Sequence, residues 1–177
     1  MTSRIIGLTG HIGAGKSQVA RMLKVYHGFV IFKFAYKLKA MLRVLGLTPS
    51  EIEGHLKDKP CYLLGGRTPR HAMASLGTEW GRNSIDNDLW VRSAMSDVDD
   101  LSDDTPLVFD DVRFPNEADA IKSRGGEIWR ILRAGNAHNP HESEAGQFRI
   151  GVDAVVDNNS TLDDLAREVA TLIRAAP

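Results

Sequence analysis

The clearest chemical signature in the sequence is the segment Gly10–Ser17, GHIGAGKS, which fits the pattern G-x-x-x-x-G-K-[ST] at every position. Glycines in such a loop let backbone N–H groups close around phosphate oxygens. Lys16 would reach the β and γ phosphates, and the Ser17 hydroxyl would ligate Mg²⁺. The segment therefore predicts a binding site for a nucleoside triphosphate with Mg²⁺. The residues predicted to hold the phosphates are Gly10, Gly13, Ala14, Gly15, Lys16 and Ser17.

Two adjacent carboxylates, Asp110 and Asp111, follow the apolar segment Leu107–Phe109. A carboxylate at the end of a buried strand can hold Mg²⁺ beside a phosphate loop, directly or through water. The same pair could instead form a solvated strand end or a helix cap. The pattern favours a metal role for the pair and, within it, Asp111, but leaves both open. Arg113 follows two residues later and could turn toward bound phosphate or form a surface salt bridge.

Basic residues elsewhere in the chain could form a second anion site. Phosphoryl transfer to another substrate needs such a site, together with exclusion of water, and this distinguishes a kinase from a hydrolase or a motor. Arginine pairs with phosphate through two parallel hydrogen bonds. Each residue alone is more typical of a solvated surface, but as a set they favour a phosphate-bearing acceptor. The candidates are Lys33, Lys37, Lys39, Arg70, Arg82 and Arg92.

Two other segments could contact a bound nucleotide. Trp80 has glycines close on both sides, and it could stack on a base or be a buried core residue. Its neighbour Glu79 could hydrogen-bond to a base or sugar, or be an exposed helical charge. The polar segment 133–147 contains helix breakers and suits a mobile lid over the triphosphate, with Arg133 at its start. Its histidines and glutamates lack a regular ligand spacing, so we do not expect a metal site there.

Apolar runs alternate with helical periodicity along the chain. The spacing predicts strands at residues 4–8, 29–32, 106–111, 127–132 and 154–156. It predicts helices at 17–26, 37–45, 69–80, 86–96, 115–124 and 161–174, with a short helix starting at Pro49. Such alternation favours an α/β fold with a parallel five-stranded sheet flanked by helices. We expect one domain over residues 1–177, with an acceptor-binding helical region at about 48–96 and a lid at about 133–147.

The composition excludes several classes of protein. The chain has 177 residues, 42% apolar and 25% charged, as in an ordinary globular domain. Cys61 is the only cysteine, which excludes a disulfide framework within the chain and a cysteine-rich zinc module. No apolar run approaches the roughly 18 residues of a membrane span, and no secretory signal is recognisable at the N-terminus. The expected compartment is the cytoplasm.

The charges are unevenly distributed. Residues 1–50 carry eight Lys or Arg and no Asp or Glu, whereas the other 127 residues carry 14 basic and 23 acidic side chains. An acid-free opening segment indicates either a bound anion or chance clustering. The basic residues do not form a Lys/Arg run with aromatics between them, so we do not expect nucleic-acid binding.

Several longer motifs, taken together, are more specific than the phosphate loop. They are Gly7–Ser17, Phe34-Ala35, Leu38-Lys39, Thr68–Arg70, Leu76–Arg82, Trp90-Val91, Asp111–Ala118 and His141–Glu144. With these motifs the sequence resembles the bacteriophage-type deoxynucleoside monophosphate kinase family nearly end to end. The resemblance implies a P-loop kinase fold, and transfer of the γ-phosphate of ATP to a deoxynucleoside 5′-monophosphate to give a diphosphate and ADP.

The resemblance also implies roles for individual residues. Arg70 and Arg82 would hold the acceptor phosphate, with Glu79 and Trp80 near the nucleoside. In the expected mechanism Lys16, Arg113 and Arg133 assist transfer together with Mg²⁺, and Lys33 joins the substrate-binding residues. The sequence departs from the family pattern at Tyr36-Lys37 and at Ala74, which would alter base preference.

Other functions remain open at this stage. A dephospho-coenzyme A kinase shares a similar phosphate loop and a similar Asp157-Asn158 before the last helix, although the middle of the chain fits it poorly. A P-loop NTPase that hydrolyses ATP as a motor or switch is the alternative from another class. The expected partners are ATP and a deoxynucleoside monophosphate, without nucleic acid or membrane; a homodimer is compatible with the sequence, and a phage-encoded chain would work in the host cytoplasm.

Overall fold

Five parallel strands form the central sheet of the computed structural model, which describes residues 4–102, 104–135 and 146–175. The strands are Ile5–Thr9 (β1), Val30–Phe32 (β2), Leu107–Phe109 (β3), Glu127–Leu132 (β4) and Ala154–Asp157 (β5). Their spatial order is β2-β3-β1-β4-β5, and every neighbouring pair is parallel. The predicted parallel sheet is confirmed. Because the strands are parallel, the residues that follow β1, β2 and β3 share one edge of the sheet.

Helices cover both faces of this sheet. Lys16–His27 (α1) and Leu162–Ala175 (α7) pack on one face, since their apolar positions recur every three or four residues. That core includes Ile6, Leu8, Val19, Leu23, Val108, Trp129, Ile131, Val156, Leu165 and Val169. Pro115–Lys122 (α6) covers the opposite face, where a Cβ at Gly7 would lie 2.7 Å from side-chain atoms of Ile121 and Ile128. Gly7 thus permits close packing of α6 on the sheet.

Residues 34–98 form a second compact unit, and residues 1–33 with 99–177 form the first. The helices that begin in the second unit are Tyr36–Val44 (α2), Pro49–Ile52 (α3), Pro69–Ala74 (α4) and Leu89–Asp99 (α5). One cluster of its buried apolar residues consists of Leu38, Leu42, Leu47, Ile52 and Trp90. The predicted helical region 48–96 falls within this unit, while its acceptor role and the description of the whole chain as one domain stay predictions. Short 3₁₀ segments occur at Tyr62–Leu64 and, in the first unit, Gly146–Arg149.

One predicted helix differs from the structure. The sequence predicts a helix over residues 69–80, but α4 ends at Ala74 and a π-helix follows over Ser75–Ile85. A π-helix of this length is rare, and such insertions are frequent at functional sites. Trp90 contacts this segment at Gly77 and Gly81, and local periodicity does not report such tertiary contacts. No helix in the described ranges is long and apolar enough to cross a membrane.

Candidate functional site

The phosphate loop connects β1 to α1 and has little room for side chains. Gly10 and Gly15 have φ values of 137° and 103°, a region that favours glycine. A Cβ at Gly10 would collide with the carbonyl oxygen of Ile131, and one at Gly15 would collide with the amide of Asn158. Two glycines of the motif are therefore required by both backbone conformation and space. Gly15 also immediately precedes α1, so the loop lies at the N-terminus of this helix, which favours anions.

Lys16 lies folded against this loop. Its Nζ donates a 2.9 Å hydrogen bond to the carbonyl of His11 and a second, short one to the carbonyl of Gly10. These bonds hold the ammonium beside the peptide groups that the motif assigns to phosphate binding. The position is compatible with the predicted role of Lys16, because a flexible lysine can exchange carbonyl oxygens for phosphate oxygens by rotation of its side chain.

Ser17, Lys33 and Asp110 meet beside the loop. The Ser17 hydroxyl donates to Asp110 Oδ2 at 3.2 Å, and Lys33 Nζ lies 3.3 Å from the same oxygen. The Asp110 side chain is only 5% exposed. Its other oxygen, Oδ1, is buried and has no hydrogen-bond partner among the residues that the structure describes. A buried carboxylate oxygen without a partner is costly, so this arrangement suits a carboxylate that completes its contacts with a ligand.

These residues fit a magnesium ion. Mg²⁺ prefers oxygen ligands and usually takes one or two carboxylates, substrate phosphates and several waters. The Ser17 hydroxyl and the unpartnered Asp110 oxygen supply such oxygens. Within residues 4–102, 104–135 and 146–175, no group of three or more His, Cys, Asp or Glu side chains could hold a metal. The site therefore fits an ion that arrives with nucleotide phosphates, rather than an all-protein metal cage.

The turn after β3 carries Asp111 and Arg113, both of which are half-buried. Glu117, which the sequence analysis did not identify, fixes this turn. Its carboxylate is 3% exposed, and Oε2 accepts hydrogen bonds from the backbone N–H of Arg113 at 2.7 Å and of Phe114 at 3.1 Å. A Glu at the third position of a helix that begins with Pro115 is a sequence signal of this kind of cap.

Arg133 is exposed just after β4, and residues 136–145 of the predicted lid lie outside the described residues.

In the second unit, Arg70 is paired with Asp58. Its Nη2 donates to Asp58 Oδ2 at 3.1 Å, and its Nε donates to Oδ1 in a second, short bond. The hydrogen bonds from Arg70 are the main cause that lowers the pKa of Asp58 below its usual value. Asp58 therefore orients the guanidinium of Arg70 near the start of α4.

The π-helix carries the other predicted acceptor residues. Arg82 is 7% exposed and donates to the carbonyl of Asn87 at 2.8 Å, so much of its side chain serves local structure. Trp80 is 42% exposed and packs against Trp90 with ring centroids 6.2 Å apart. It is therefore not a buried core residue. Glu79 is exposed.

The remaining basic candidates of the second unit form surface ion pairs. Lys37 pairs with Asp97 at 2.7 Å and Lys39 pairs with Glu53 at 3.2 Å. Arg92 pairs with Asp86 at 2.7 Å. Arg70 is paired with an aspartate in the same way, so these contacts do not decide between a surface role and an acceptor role. The role of Lys37, Lys39 and Arg92 in an acceptor site stays a prediction.

Comparison with known proteins identifies the family. A family model for "Deoxynucleotide monophosphate kinase" matches residues 67–169, more than half of the chain. A protein of Acanthamoeba polyphaga mimivirus, named "Putative deoxynucleotide monophosphate kinase", is 32% identical over 96% of this chain and 95% of its own length. The chain belongs to the deoxynucleotide monophosphate kinase family. As a member of this family it is an ATP-dependent nucleotide kinase, which confirms the resemblance seen in the sequence.

Solved structures support the fold of this family member. TT1252 from Thermus thermophilus matches with a TM-score of 0.53 and 20% identity, over 100% of both chains. Shikimate kinase from Aquifex aeolicus matches with a TM-score of 0.52 and 13% identity, over 96% of each chain. At these identities the likeness concerns the fold alone. The predicted P-loop kinase fold is confirmed.

Proposed function

We propose that the protein transfers the γ-phosphate of ATP to a deoxynucleoside 5′-monophosphate and releases a deoxynucleoside diphosphate and ADP. The observation that carries this proposal is the meeting of Ser17, Lys33 and Asp110 beside the phosphate loop in a member of this kinase family. These groups combine a metal-binding carboxylate and hydroxyl with a cation, as phosphoryl transfer requires.

ATP would lie with its phosphates in the loop formed by Gly10, Gly13, Ala14 and Gly15. Backbone N–H groups of the loop and the N-terminus of α1 bind the phosphate oxygens. Lys16 turns from the carbonyls of Gly10 and His11 to the β and γ phosphates. Ser17 and Asp110 would hold Mg²⁺, which would neutralise charge at the phosphates.

The acceptor would be recognised by residues of the second unit. Arg70, oriented by Asp58, offers a planar donor surface to the acceptor phosphate. The exposed face of Trp80 can stack on a base, and Glu79 can accept a hydrogen bond from a base or sugar. Arg82 adds positive charge and, through Asn87, stabilises the end of the π-helix that presents these side chains.

Transfer itself needs positioning and charge stabilisation more than proton chemistry. The attacking oxygen belongs to an acceptor phosphate that is already anionic, so no general base is required. Arg113 and Arg133 stabilise negative charge on the transferred group in this proposal. Lys33 holds a positive charge near the reacting phosphates while it remains paired with Asp110.

A substrate panel tests the proposed reaction. ADP release is measured with ATP and each deoxynucleoside monophosphate, each ribonucleoside monophosphate, dephospho-coenzyme A, or no acceptor. We expect stimulation by at least one deoxynucleoside monophosphate and formation of its diphosphate. If none of the acceptors changes the rate of ADP release, the kinase proposal is contradicted. If only dephospho-coenzyme A stimulates ADP release, the acceptor is dephospho-coenzyme A and not a deoxynucleoside monophosphate.

A pair of arginine variants tests the acceptor site. Arg70→Ala removes a charge-assisted contact, so the acceptor KM should rise roughly tenfold or more while the Kd for ATP stays unchanged. Arg92→Ala is the matched control, because Arg92 is an exposed arginine of the same unit with its own aspartate partner. Equal effects of the two variants would rule out a specific role for Arg70.

A further inference from the structure

The segment after β5 reaches the phosphate loop through one buried side chain. Asn158 is 8% exposed, and its Nδ2 donates a 2.7 Å hydrogen bond to the carbonyl of Ala14, which is 144 positions away in sequence. The same amide occupies the space where a Cβ at Gly15 would lie. The side chain of Asn158 therefore packs directly on the peptide bond that joins Ala14 and Gly15.

This contact fixes the direction of an N–H group in the loop. In a trans peptide the carbonyl and the following N–H point in opposite directions, and no peptide in the described residues is cis. Because the Ala14 carbonyl points toward Asn158, the N–H of Gly15 points away from Asn158. If this peptide rotated, the loop would lose an N–H donor and present a carbonyl oxygen instead.

Asn158 is itself held in place by the sheet. Its backbone N–H donates to the carbonyl of Leu132 at 2.8 Å, at the end of β4. The next residue, Asn159, accepts a 2.6 Å hydrogen bond from the backbone N–H of Ala134 through Oδ1. The backbone that carries the Asn158 amide is thus anchored to the end of β4 and to the segment after it.

We propose that Asn158 is a positioning residue of the phosphate loop, which directs the N–H of Gly15 at the phosphates of ATP. Asn158 acts through the peptide of Ala14 and Gly15 and does not itself contact the nucleotide. The inference rests on the proposed placement of the phosphates in the loop. The sequence alone shows only that the Asp157-Asn158 pair is similar to a pair in dephospho-coenzyme A kinase. The inference assigns a physical role to the second residue of this pair.

Inorganic tripolyphosphate, which has no base or sugar, is the probe that isolates this role. Asn158→Ala and Asn158→Asp both remove the donor to Ala14, and the second keeps the shape of the side chain. Each should raise the Kd for tripolyphosphate and for ADP roughly ten- to hundredfold. Ser160→Asp is the charge-matched control, since Ser160 is exposed two residues away, and it should leave both Kd values within about twofold.

The amide proton of Gly15 in two-dimensional NMR spectra reports the direction of the N–H itself. In the wild-type protein this resonance should move downfield on saturation with tripolyphosphate, and the movement should shrink in both Asn158 variants. A general loss of stability would not produce this selective change. A wild-type Gly15 resonance that stays in place on saturation overturns the inference without any variant.

The outcomes separate this inference from the proposed function. If the wild-type protein binds neither ATP nor tripolyphosphate, the proposed function fails. If the wild-type protein binds both and the Asn158 variants bind as tightly as it does, the role of Asn158 fails and the proposed function stands. If Asn158→Ala does not fold, the Kd values of Asn158→Asp and the Gly15 resonance of the wild-type protein still test the role of Asn158.

Discussion

Trp90 Nε1 donates a 2.8 Å hydrogen bond to the carbonyl of Gly77, one helical segment earlier in the chain. The Cα of Gly81 lies against the same indole, where a Cβ would be 2.5 Å from Nε1. The indole therefore occupies the side of the π-helix between two of its glycines. This relationship links the buried core of the second unit to the π-helix Ser75–Ile85, which carries Glu79, Trp80 and Arg82.

Replacement of Trp90 by Phe should loosen the π-helix. Phenylalanine keeps an aromatic ring but cannot donate to the Gly77 carbonyl, and the loss of one hydrogen bond costs about 0.5–1.5 kcal/mol. We expect a lower free energy of unfolding and a higher acceptor KM, because Glu79 and Trp80 lose their fixed position. Chemical denaturation and acceptor titrations measure the two effects.

The matched control for this prediction is Trp129→Phe in the first unit. Trp129 is fully buried, and its Nε1 donates to the carboxylate of Glu127 at 3.0 Å, so Trp129→Phe also removes an indole hydrogen bond. Its loss should lower stability and leave the acceptor KM unchanged. A similar rise of acceptor KM in both variants would show that instability alone causes the effect.

Two glycines of the π-helix should respond oppositely to alanine. Gly81→Ala places a methyl group 2.5–2.8 Å from three atoms of the Trp90 ring, and such overpacking costs about 1–3 kcal/mol. Gly77→Ala places its methyl 3.6 Å from Leu38, an ordinary contact, and should be neutral or stabilising by up to about 1 kcal/mol. Thermal unfolding of the two variants checks the difference, and equal midpoints would contradict the packing of Trp90 on Gly81.

Asp110 should dominate the dependence of activity on Mg²⁺. Its carboxylate contacts Ser17 and Lys33, and within the described part of the chain its buried Oδ1 has no partner. Asp110→Asn should therefore raise the Mg²⁺ concentration at half-maximal activity roughly 10–100-fold. Asp111→Asn should have a smaller effect. Titration of Mg²⁺ at saturating ATP measures both, and a larger shift for Asp111→Asn would transfer the metal role to that residue.

Acid should weaken the fold partly through Glu51. Hydrogen bonds from the backbone and hydroxyl of Thr48 lower the pKa of Glu51. A lowered folded-state pKa stabilises the protein above the unfolded pKa of about 4, and this contribution is lost as the pH falls through the folded value. The stability difference between wild type and Glu51→Gln should therefore be largest above about pH 5 and should shrink below about pH 4. A difference that stays constant from pH 2 to 7 would contradict this origin.

The local elements and the phosphate loop were determined by the sequence itself. β4 occupies the predicted residues 127–132, and α1 follows the loop as its motif requires. Both signals are local, since alternation, helical spacing and glycine positions act over a few neighbouring residues. The Thr-Pro-Arg segment ending at Arg70 and the motif around Trp80 also pointed correctly to the family, because each combines several residues at fixed spacing.

Only the tertiary structure decided which of these residues meet. Lys33 and Asp110 are brought together because β2 and β3 are parallel neighbours with Phe32 opposite Phe109. Asn158 reaches Ala14 across 144 positions of sequence. Such contacts depend on strand order and on packing between distant segments, and single-sequence periodicity carries no information about either. The sequence thus determined which reactive and phosphate-binding groups the protein has, while the folded sheet decided which side chains hold these groups in place.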